Sequence, residues 1–572
     1  MAQGTTPDHE RRETAKSHDD EVLDVIIIGA GPCGLAVAAR LREDTPAALF
    51  TDEEQRRYLW LRRHGNKVTL KNAKTGKVSR TANIRRPEYN MAVLDAEGDG
   101  WMARWNKLFD TYGISHLRSP MQWHIDPSDR DSLLAFAHRL QRQDELVEIK
   151  GCVGREISKH KKKARMGVRP NFQDNQPNRD INERDRDDYF TPSQKLFREH
   201  CELVRNKYLL DEGIVHKETV LDITYDVVRG ISINDEKLFT ITTNKSIRYT
   251  RAAVLAVGPA NSATIPRING MPEDARYPVF GGRYQSCHSF HIKSIPDETV
   301  QARISANRRT NVLVIGGGLT SAQITDLAIH KGVSKVWHFM RGPCKIKAFD
   351  VDLSWMGKYK NSEQARFWTA DTEAERYQLM MDARGGGSIT SRYNAKLRRH
   401  VAAGRLDLRT FTQVIDARFV EGAAPGFEGG CWKITTDPPI ADLPMMDYIY
   451  FATGIQTDYE ALPYLQSMLQ SHPIHGHGGF PCINDRLMWK DGVPLYLAGR
   501  LAALQIGPAS PNIGGAKLAA ERIALAMDEF IAESREAEGG VDVANPVDSP
   551  LIRYASGFGS KYSCLDLELE QQ

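Results

Sequence analysis

The sequence predicts an α/β protein that contains two Rossmann-like dinucleotide-binding units. Three observations support this prediction: a strand, a glycine-rich turn and a helix follow one another twice, similar strands follow each copy, and a third glycine-containing turn lies near the end of the chain. A buried strand that runs through such a turn into a helix is the local structure that binds the pyrophosphate of a dinucleotide.

The first copy combines an apolar strand, Val25–Ile28, with the turn Gly29-Ala-Gly31-Pro-Cys-Gly34. Gly29 allows the chain to turn sharply at the end of the strand, and Gly31 lets phosphate groups approach the backbone. Gly34 lets the following helix pack closely on the sheet. The helix pattern after the turn makes an ordinary glycine-rich loop a poor alternative.

The second copy, around residues 311–327, keeps two of the three glycines. Gly316 and Gly318 have the positions of the first two, and Ser321 has the position of the third. Two lysines further along the chain, Lys345 and Lys347, fit either a phosphate-binding role or a solvated loop.

The residue that follows the second strand of each copy predicts which nucleotide binds there. In the first copy we predict a strand at Leu49–Thr51 and assign Asp52 to the ribose, because an acid about 20 residues after the glycines has that role. In the second copy the strand Val336–Met340 ends in Arg341, a cation that suits a 2′-phosphate. The first unit therefore resembles an FAD site and the second an NADPH site.

Strand-like segments in the same order follow both glycine turns, which indicates duplication of one module. A third turn, Gly507–Asn512, precedes a helix that begins at Ile513. A helix N-terminus favours partial negative charge, so Pro508 and Asn512 are predicted to contact the flavin. The expected organisation is a disordered tail at 1–20, an FAD-binding domain at 21–300 with an irregular or helical insertion at about 85–190, an NADPH-binding domain at 301–445, a return to the FAD-binding domain at 446–540 and a C-terminal extension at 541–572.

Composition narrows the function classes. The chain has 572 residues with 76 basic and 73 acidic side chains, a balance that argues against a dedicated nucleic-acid binder. No apolar stretch approaches the roughly 18 residues of a transmembrane helix, and the polar N-terminus has no signal-peptide core, so a cytoplasmic location is expected. The eight cysteines form no C-x-x-C pair, and no metal site is predicted.

With these residues the chain resembles the class B flavoprotein monooxygenases, which include ornithine and lysine N-hydroxylases, flavin-containing monooxygenases and Baeyer–Villiger enzymes. The resemblance covers about residues 24–60, 190–340 and 400–530. Its sharpest part is Asp447-x-x-x-Phe-Ala-Thr453-Gly454, which is similar to the signature of the N-hydroxylating branch. Cys287-His288-Ser289 resembles the histidine part of the flavin-monooxygenase fingerprint.

The resemblance implies the fold of the flavoproteins with two dinucleotide-binding domains, FAD and NADPH as cofactors, and a small molecule and O2 as further substrates. Hydride would pass from NADPH to FAD, and a C4a-hydroperoxyflavin would transfer oxygen to the small molecule, with amine N-hydroxylation as the favoured reaction. It also places Thr453 and Gly454 in the NADPH site and Met121 and Gln122 against the flavin, with Gln122 and His288 as candidate catalytic residues. Core packing is an equal alternative for Met121, and a structural hydrogen bond is the common role of a lone histidine.

Three departures leave the substrate class open, and the chain resembles a fungal-type subgroup of these flavoproteins. The F-x-G-x-x-x-H spacing is absent before His288, Arg500 stands where related disulfide reductases have an acid, and Ile455 stands where the signature has tyrosine. Alternative enzymes are a Baeyer–Villiger or sulfur-oxygenating relative and an NADPH oxidase. A regulatory flavoprotein that keeps the fold is an alternative of another class, and the oligomeric state is left open.

Overall fold

The computed structural model describes residues 17–43, 46–50, 54, 56–57, 60, 69–71, 78–80, 89–150, 152, 188–211, 213–258, 263–273, 284–356, 359–422 and 429–537. The expected tail up to residue 16, the C-terminal extension, Asp52 and most of the charged part of the insertion lie outside these ranges. Among the described residues, no helix has both the length and the apolar content that a membrane span requires.

The strands fall into two main sheets and several two-stranded pairs. In chain order they are β1 (Ser17–Ile28), β2 (Thr69–Lys71), β3 (Val78–Arg80), β4 (Met91–Asp95), β5 (Val147–Glu148), β6 (Phe190–Thr191), β7 (Val215–Lys217), β8 (Val220–Val227), β9 (Lys237–Thr243), β10 (Ser246–Leu255), β11 (Ser286–His288), β12 (Asn311–Ile315), β13 (Lys335–Phe339), β14 (Leu406–Arg409), β15 (Gln413–Val420), β16 (Cys431–Asp437), β17 (Tyr448–Phe451), β18 (Gly476–His477), β19 (Phe480–Pro481), β20 (Met488–Lys490) and β21 (Val493–Leu497).

The described α-helices connect these strands or cover the sheets. They are α1 (Pro32–Leu41), α2 (Ala103–Thr111), α3 (Ser132–Arg139), α4 (Gln194–Lys207), α5 (Glu298–Ser305), α6 (Leu319–His330), α7 (Lys360–Trp368), α8 (Glu373–Arg384), α9 (Ser391–Ala402), α10 (Gln466–Ser471), α11 (Ala503–Ile506) and α12 (Ile513–Ala537).

The first sheet has the order β7-β4-β1-β10-β21-β20, and its five strands from β7 to β21 are parallel. Its central strands are continuous apolar runs because both faces of a parallel sheet are covered. Ile28 of β1 is paired with Leu94 of β4 on one side and Leu255 of β10 on the other, so the carboxyl ends of these strands meet at one edge. Helix α1 starts at that edge and packs against α12.

The strand next to β1 is not the one that the sequence predicted. Leu49 lies in an exposed turn and Phe50 lies outside any strand, whereas β4 takes the expected place forty residues further along the chain. The prediction of a strand at Leu49–Thr51 is therefore wrong for its first two residues. The apolar run there is short, and a short apolar run does not by itself identify a strand.

The second sheet is parallel and has the order β11-β17-β12-β13-β14. Its first strand, β11, precedes residue 301, and β17 follows residue 445. The sheet of the second unit thus includes one strand from before and one strand from after the expected 301–445 range. The carboxyl ends of β12, β13 and β17 carry the second glycine turn, Arg341 and the Ala-Thr-Gly segment, respectively.

Within and just after the expected insertion the chain forms two helices that pack on the first unit. Helix α3 follows Asp131 directly, and α4 begins after Ser193. Ser193 is the N-cap of α4, and its Oγ accepts a hydrogen bond from the Leu196 amide. The Thr191 hydroxyl donates to the Leu117 carbonyl across 2.6 Å, which is a tertiary contact that the local sequence does not predict.

Candidate functional site

The first glycine turn, Gly29–Gly34, is tight on its inner side and open on its outer side. A Cβ on Gly29, whose φ is +110°, would lie 2.4 Å from the Ala256 carbonyl oxygen, and a Cβ on Gly34 would lie 2.0 Å from the Gly29 carbonyl oxygen. A Cβ on Gly31 would meet no atom within 4 Å. The N-cap of α1 is Gly31, which has no capping side chain, so the first amides of the helix face this open space. These features fit a pyrophosphate at the helix N-terminus.

An acid that the sequence analysis missed lies beside this turn. Asp95 ends β4, and its carboxylate accepts hydrogen bonds from the amides of Ala30 and Glu97, each across 2.8 Å. Asp95 therefore places an acid next to the glycine turn, whereas Asp52, the predicted ribose ligand, lies outside the described residues. The signal was present as an acid directly after the apolar run Met91–Leu94, but the run lies far beyond the usual spacing.

Cys33 lies inside the first glycine turn and packs against the chain that leads to the third turn. A Cβ on Gly499, two residues after the end of β21, would approach the Cys33 Sγ to 3.2 Å. Burial raises the pKa of the Cys33 thiol to about 12, so it stays protonated. The described cysteines are all free thiols.

The second glycine turn, Gly316–Ser321, has the same construction with one substitution. Gly316 has a φ of +152°, and a Cβ there would lie 2.3 Å from the Ala452 carbonyl oxygen. Gly318 is the extended N-cap of α6, without a capping side chain. Ser321 is buried, and its Oγ donates to the Gly318 carbonyl across 2.7 Å. The serine thus binds the turn through its hydroxyl at the place where glycine permits close packing in the first copy.

A buried histidine that sequence reasoning did not identify supports the second turn. Nε2 of His338, on β13, lies 2.8 Å from the Gly316 carbonyl oxygen, and Nδ1 lies 3.2 Å from the Thr325 hydroxyl. Burial lowers the pKa of His338 to about 4. The ring is therefore neutral at pH 7, and with Nε2 protonated it donates to the turn.

The basic residues after β13 divide into two groups. Arg341 is exposed at the carboxyl end of the strand, next to the second turn. Lys345 donates to the Gly385 carbonyl across 2.6 Å, and Lys347 donates to the Ala383 carbonyl across 3.2 Å and pairs with Asp352 at 2.6 Å. The lysines therefore hold the C-terminal end of α8, which favours the structural alternative for them.

A loop with three glycines covers part of the second turn. Gly385 and Gly386 have φ values of +60° and +81°, and a Cβ on Gly387 would lie 3.1 Å from the Gly318 amide nitrogen. We call residues 384–388 the bridging loop, because its first residue, Arg384, donates to the Pro508 carbonyl of the third turn across 2.9 Å. One short segment therefore contacts both the second glycine turn and the third turn.

The Ala-Thr-Gly segment follows β17 and continues beside the second turn. Gly454 has a φ of +88°, and its carbonyl accepts a hydrogen bond from the Thr264 amide across 3.0 Å. The Thr453 hydroxyl donates to the Thr264 carbonyl. Asp447, the acid of the signature, is buried, pairs with Arg303 and accepts from the Asn311 amide across 2.5 Å. That acid therefore anchors the start of β12 and does not reach the turn.

The segment predicted to face the flavin lies against the N-terminal end of α12. Met121 is buried, and the Gln122 carbonyl accepts a hydrogen bond from the Lys517 ammonium across 3.2 Å. Burial lowers the pKa of Lys517 to about 8. A Cβ on Gly514 would lie 2.6 Å from the Trp123 indole, so the absence of a side chain at Gly514 makes room for the Trp123 ring.

The other predicted residues are fixed by local hydrogen bonds. The Asn512 Oδ1 accepts from the Gly515 amide across 3.2 Å and so caps α12, and its Nδ2 lies 3.4 Å from the Asp350 carboxylate. His288 is buried at the end of β11, and its Nδ1 accepts from the Phe290 amide across 3.1 Å. Burial is the main reason that the pKa of His288 is lowered to about 4. Among the described residues, no hydrogen bond joins His288 to Gln122.

Arg118 connects the two units next to this segment. Its guanidinium donates to the main-chain carbonyls of Lys347, Ala348 and Phe349 across 3.1, 3.1 and 2.5 Å. It also donates to the Ser388 hydroxyl in the bridging loop across 2.9 Å. Three residues later the chain reaches Met121, so the predicted flavin-facing segment and the second unit are tied together.

One group of metal-ligand residue types occurs in the described part of the chain: Asp326, His330 and His400. It lies on the outer helices α6 and α9. The Lys396 ammonium is 2.6 Å from one Asp326 carboxylate oxygen, and His400 Nε2 is 2.8 Å from the other. These bonds account for the group as a link between the two helices.

No protein-family model matches the sequence, and no curated protein matches it. Solved structures show the fold. The ornithine hydroxylase PvdA from Pseudomonas aeruginosa matches with a TM-score of 0.54 at 15% identity, over 89% of this chain and 100% of that chain. The Kutzneria sp. 744 ornithine N-hydroxylase KtzI, with reduced FAD, NADP⁺ and L-ornithine, matches with 0.54 at 14% identity over 89% and 100%.

The FAD-bound cadaverine monooxygenase DfoA from Erwinia amylovora matches with a TM-score of 0.51 at 13% identity, over 91% of this chain and 96% of that chain. The chain therefore has the fold of the flavoproteins with two dinucleotide-binding domains, which confirms the predicted fold class.

Proposed function

We propose that this chain is an NADPH-dependent flavin monooxygenase that transfers oxygen to a small molecule, with an amine nitrogen as the favoured position. One observation supports the proposal above the others: the bridging loop contacts the second glycine turn through Gly387 and the third turn through Arg384. An enzyme that passes hydride between two bound cofactors needs their sites in one cleft. The similarity to the fold of N-hydroxylating enzymes is consistent with this function.

The residues around the first turn fit FAD. Gly31 leaves space for the pyrophosphate in front of the amides of α1, and the Asp95 carboxylate stands where a ribose hydroxyl would donate. The capped N-terminal end of α12 directs its positive dipole toward the site expected for the flavin ring. We extend this site to Gly29, Gly34, Met121, Gln122, Pro508 and Asn512.

The residues around the second turn fit NADPH. Gly316, Gly318 and Ser321 form the phosphate-binding turn, and Arg341 is exposed at the strand end where a 2′-phosphate would lie. Thr453 and Gly454 complete this site in the proposal. Bound together, the two cofactors supply hydride transfer and oxygen activation, while the protein orients them and excludes water.

Side chains near the predicted flavin face have limited proton chemistry. Lys517 has a pKa lowered to about 8, so a fraction of it is neutral at pH 7 to 8, next to the Gln122 carbonyl. His288 has a pKa of about 4 and is neutral. If His288 acts, it therefore acts through a neutral ring that positions a group, and Gln122 acts by hydrogen bonding.

A thiol–disulfide reductase is the weaker alternative on the same fold. Such an enzyme passes electrons to a reactive thiolate. Burial raises the pKa of the thiols of Cys33, Cys201 and Cys287, which disfavours the thiolate that a reductase needs. Of the described cysteines, only Cys33 lies in the first glycine turn. An NADPH oxidase shares every feature above and differs only in the fate of the oxygen.

The decisive experiment has two parts. Purified protein is first loaded with FAD and mixed with NADPH without oxygen, and bleaching of the yellow chromophore supports the redox function. Oxygen and candidate amines are then added, and hydroxylated product is compared with hydrogen peroxide per NADPH consumed. Hydroxylated product in nearly the same amount as the NADPH consumed supports the monooxygenase. Hydrogen peroxide alone supports the oxidase, and no bleaching by NADPH favours a regulatory flavoprotein. The proposal also includes O2 as a substrate and a cytoplasmic location, and it is compatible with an oligomer.

A further inference from the structure

A buried lysine lies beside the segment that the proposed function places against the flavin. Lys517 is the fifth residue of α12, and it is only 6% exposed. Its Nζ lies 3.2 Å from the Gln122 carbonyl oxygen and 3.4 Å from Nε2 of His124, and no carboxylate of the described residues is paired with it. An ammonium group is costly to bury without a carboxylate partner, so a lysine in this position is a candidate for a functional role.

Three carboxylates act on Lys517 from nearby elements, and each of them is already paired with another cation. Burial is the largest cause of the lowered pKa of Lys517, the three carboxylates oppose it only in part, and Lys360 of α7 adds to it. The buried rings of His124 and His200 are the other titratable neighbours. The carboxylates and their partners are Asp126 with Lys207 at 3.2 Å, Asp131 with Arg130 at 3.3 Å, and Glu521 with Arg40.

The hydrogen bonds around Lys517 suit a neutral amine better than an ammonium. Burial holds the pKa of His124 well below its usual value, so the ring is neutral and carries one hydrogen. That hydrogen is on Nε2, because Nε2 lies 2.8 Å from the Arg130 carbonyl oxygen, whereas Nδ1 is buried with no partner among the described residues. An ammonium only donates, so it gains nothing from this N–H group. A neutral amine can accept from Nε2–H of His124 and donate to the Gln122 carbonyl.

Reduction of FAD changes the charge beside this amine. A flavin ring that receives two electrons and one proton gains one negative charge. At a separation of roughly 8 Å and an effective dielectric constant of about 20, one negative charge raises the proton affinity of an amine about thirtyfold. A lysine that is divided between its neutral and charged forms before reduction therefore becomes almost fully charged after it.

We propose that Lys517 binds a proton in step with the redox state of the flavin: its amine takes up one proton from solvent when FAD is reduced and releases it when FAD is oxidised again. The amine nitrogen forms one new N–H bond, and the lysine exchanges no electron. Two electrons then enter with two protons, one on the flavin ring and one on Lys517. The position of FAD in this inference rests on the proposed function, whereas the neutral state of Lys517 in the FAD-free protein does not.

The number of protons that enter with two electrons is the direct test. FAD-loaded full-length protein is titrated electrochemically without NADPH, and the slope of the midpoint potential against pH gives this number between pH 8 and 10. The anionic reduced flavin alone accounts for one proton. We expect the parent to take up clearly more than one proton, and close to two near pH 9, because Lys517 is then mostly neutral before reduction and mostly charged after it. Uptake of one proton throughout this range would overturn the inference.

Two variants assign the additional proton to this side chain. Lys517→Arg keeps a positive charge that does not titrate, and Lys517→Met removes the charge, so each variant should take up one proton. Lys207→Met is the matched control, because it removes a partly exposed cation that pairs with Asp126 in the same group of polar side chains. It should keep the proton number of the parent. An additional proton that persists in Lys517→Arg, or that is lost equally in Lys207→Met, contradicts the assignment.

Unfolding of the FAD-free protein tests Lys517 without any cofactor. Its pKa is lowered from 10.5 to about 8 in the folded protein, so between these values the unfolded chain binds more protons and stability rises with pH. From pH 8 to 10 the unfolding equilibrium constant of the parent should therefore fall, relative to that of Lys517→Met, by up to about tenfold per pH unit. Equal slopes for the two proteins would show that Lys517 is charged in the folded state and would overturn the inference.

The inference and the proposed function fail on different readouts. Thermal unfolding and FAD content show whether each variant is folded, and Lys517→Arg replaces Lys517→Met in the urea series if the methionine variant is not. Bleaching of FAD by NADPH is measured in parallel on the parent. If NADPH does not bleach the flavin but electrochemical reduction takes up the additional proton, the proposed function fails and the role of Lys517 stands. If NADPH bleaches the flavin and only one proton enters, the inference fails and the function stands.

Discussion

Two glycine-to-alanine substitutions in the first turn should separate folding from cofactor binding: Gly31→Ala should impair FAD binding, and Gly34→Ala should impair folding. In Gly31→Ala the new methyl group points into open space, since no atom lies within 4 Å of it, and φ is −81°, which alanine adopts readily. We therefore expect the free energy of unfolding without FAD to change by no more than about 0.5 kcal/mol. The same methyl group occupies the space assigned to the pyrophosphate, so FAD binding should be lost.

Gly34→Ala is the contrasting variant. Its methyl carbon would lie 2.0 Å from the Gly29 carbonyl oxygen, and backbone on both sides of the contact cannot yield without moving α1 away from the sheet. A rearrangement of this kind costs about 1–3 kcal/mol or more, a large fraction of the stability of a domain. We expect Gly34→Ala to unfold at a clearly lower temperature than the parent, with or without FAD.

The assay is thermal unfolding with and without added FAD, together with the ratio of flavin to protein after desalting. A ligand at a hundredfold excess over its Kd stabilises the native state by about 2.7 kcal/mol. The parent should therefore gain stability with FAD, whereas Gly31→Ala should unfold at the temperature of the FAD-free parent in both conditions. A Gly31→Ala protein that retains stoichiometric FAD would refute the assignment of this turn to the pyrophosphate.

Three further predictions concern the second unit and its contact with the first. Arg341→Ala should weaken NADPH binding by about tenfold to a hundredfold and leave NADH binding unchanged, and an equal loss for both coenzymes would remove the role of this arginine. Arg118→Ala should keep its FAD, but NADPH should reduce that FAD roughly tenfold more slowly. The control is Arg392→Ala, which removes an exposed hydrogen bond to Ser115 across the same boundary and should be reduced at the parent rate. Equal rates of reduction in the two variants would contradict the role of Arg118. His338 has a pKa lowered from 6.5 to about 4, so between these values the unfolded chain binds more protons than the folded one, and stability falls as the pH drops through this window. In urea unfolding from pH 7 to 4.5, His338→Gln should lose up to about 1.4 kcal/mol per pH unit of this slope, and identical slopes would show that His338 does not titrate as described.

The fold could be predicted from the sequence because its strongest signals are local. A glycine turn between an apolar strand and a helix is complete within about twenty residues, and both copies have the backbone that their glycines predicted, including positive φ at Gly29 and Gly316. Ser321 was correctly placed at the third position of the second turn, although the sequence could not show that its hydroxyl bonds to Gly318.

The parts that sequence reasoning missed depend on segments far apart in the chain. The acid beside the first turn is Asp95 because β4 pairs with β1 after a long excursion, and no spacing rule covers that distance. The His338 contact and a cavity around Arg500 each join residues from different elements. Arg500 departs from related disulfide reductases in the sequence, but only the folded chain brings it to a cavity that residues of α8 and of the β18–β19 hairpin also line.

The contact that Arg118 makes across the boundary has a consequence for how the protein responds to its medium. Its acceptors are four peptide carbonyls and one serine hydroxyl, none of which gains or loses charge between mildly acidic and mildly basic conditions. Burial lowers the pKa of Arg118 only to about 10, so the guanidinium also keeps its charge. Dissolved ions weaken the attraction between opposite charges much more than they weaken hydrogen bonds to neutral oxygens. The Arg118 contact should therefore keep the two units in the same relative position in dilute buffer and in concentrated salt.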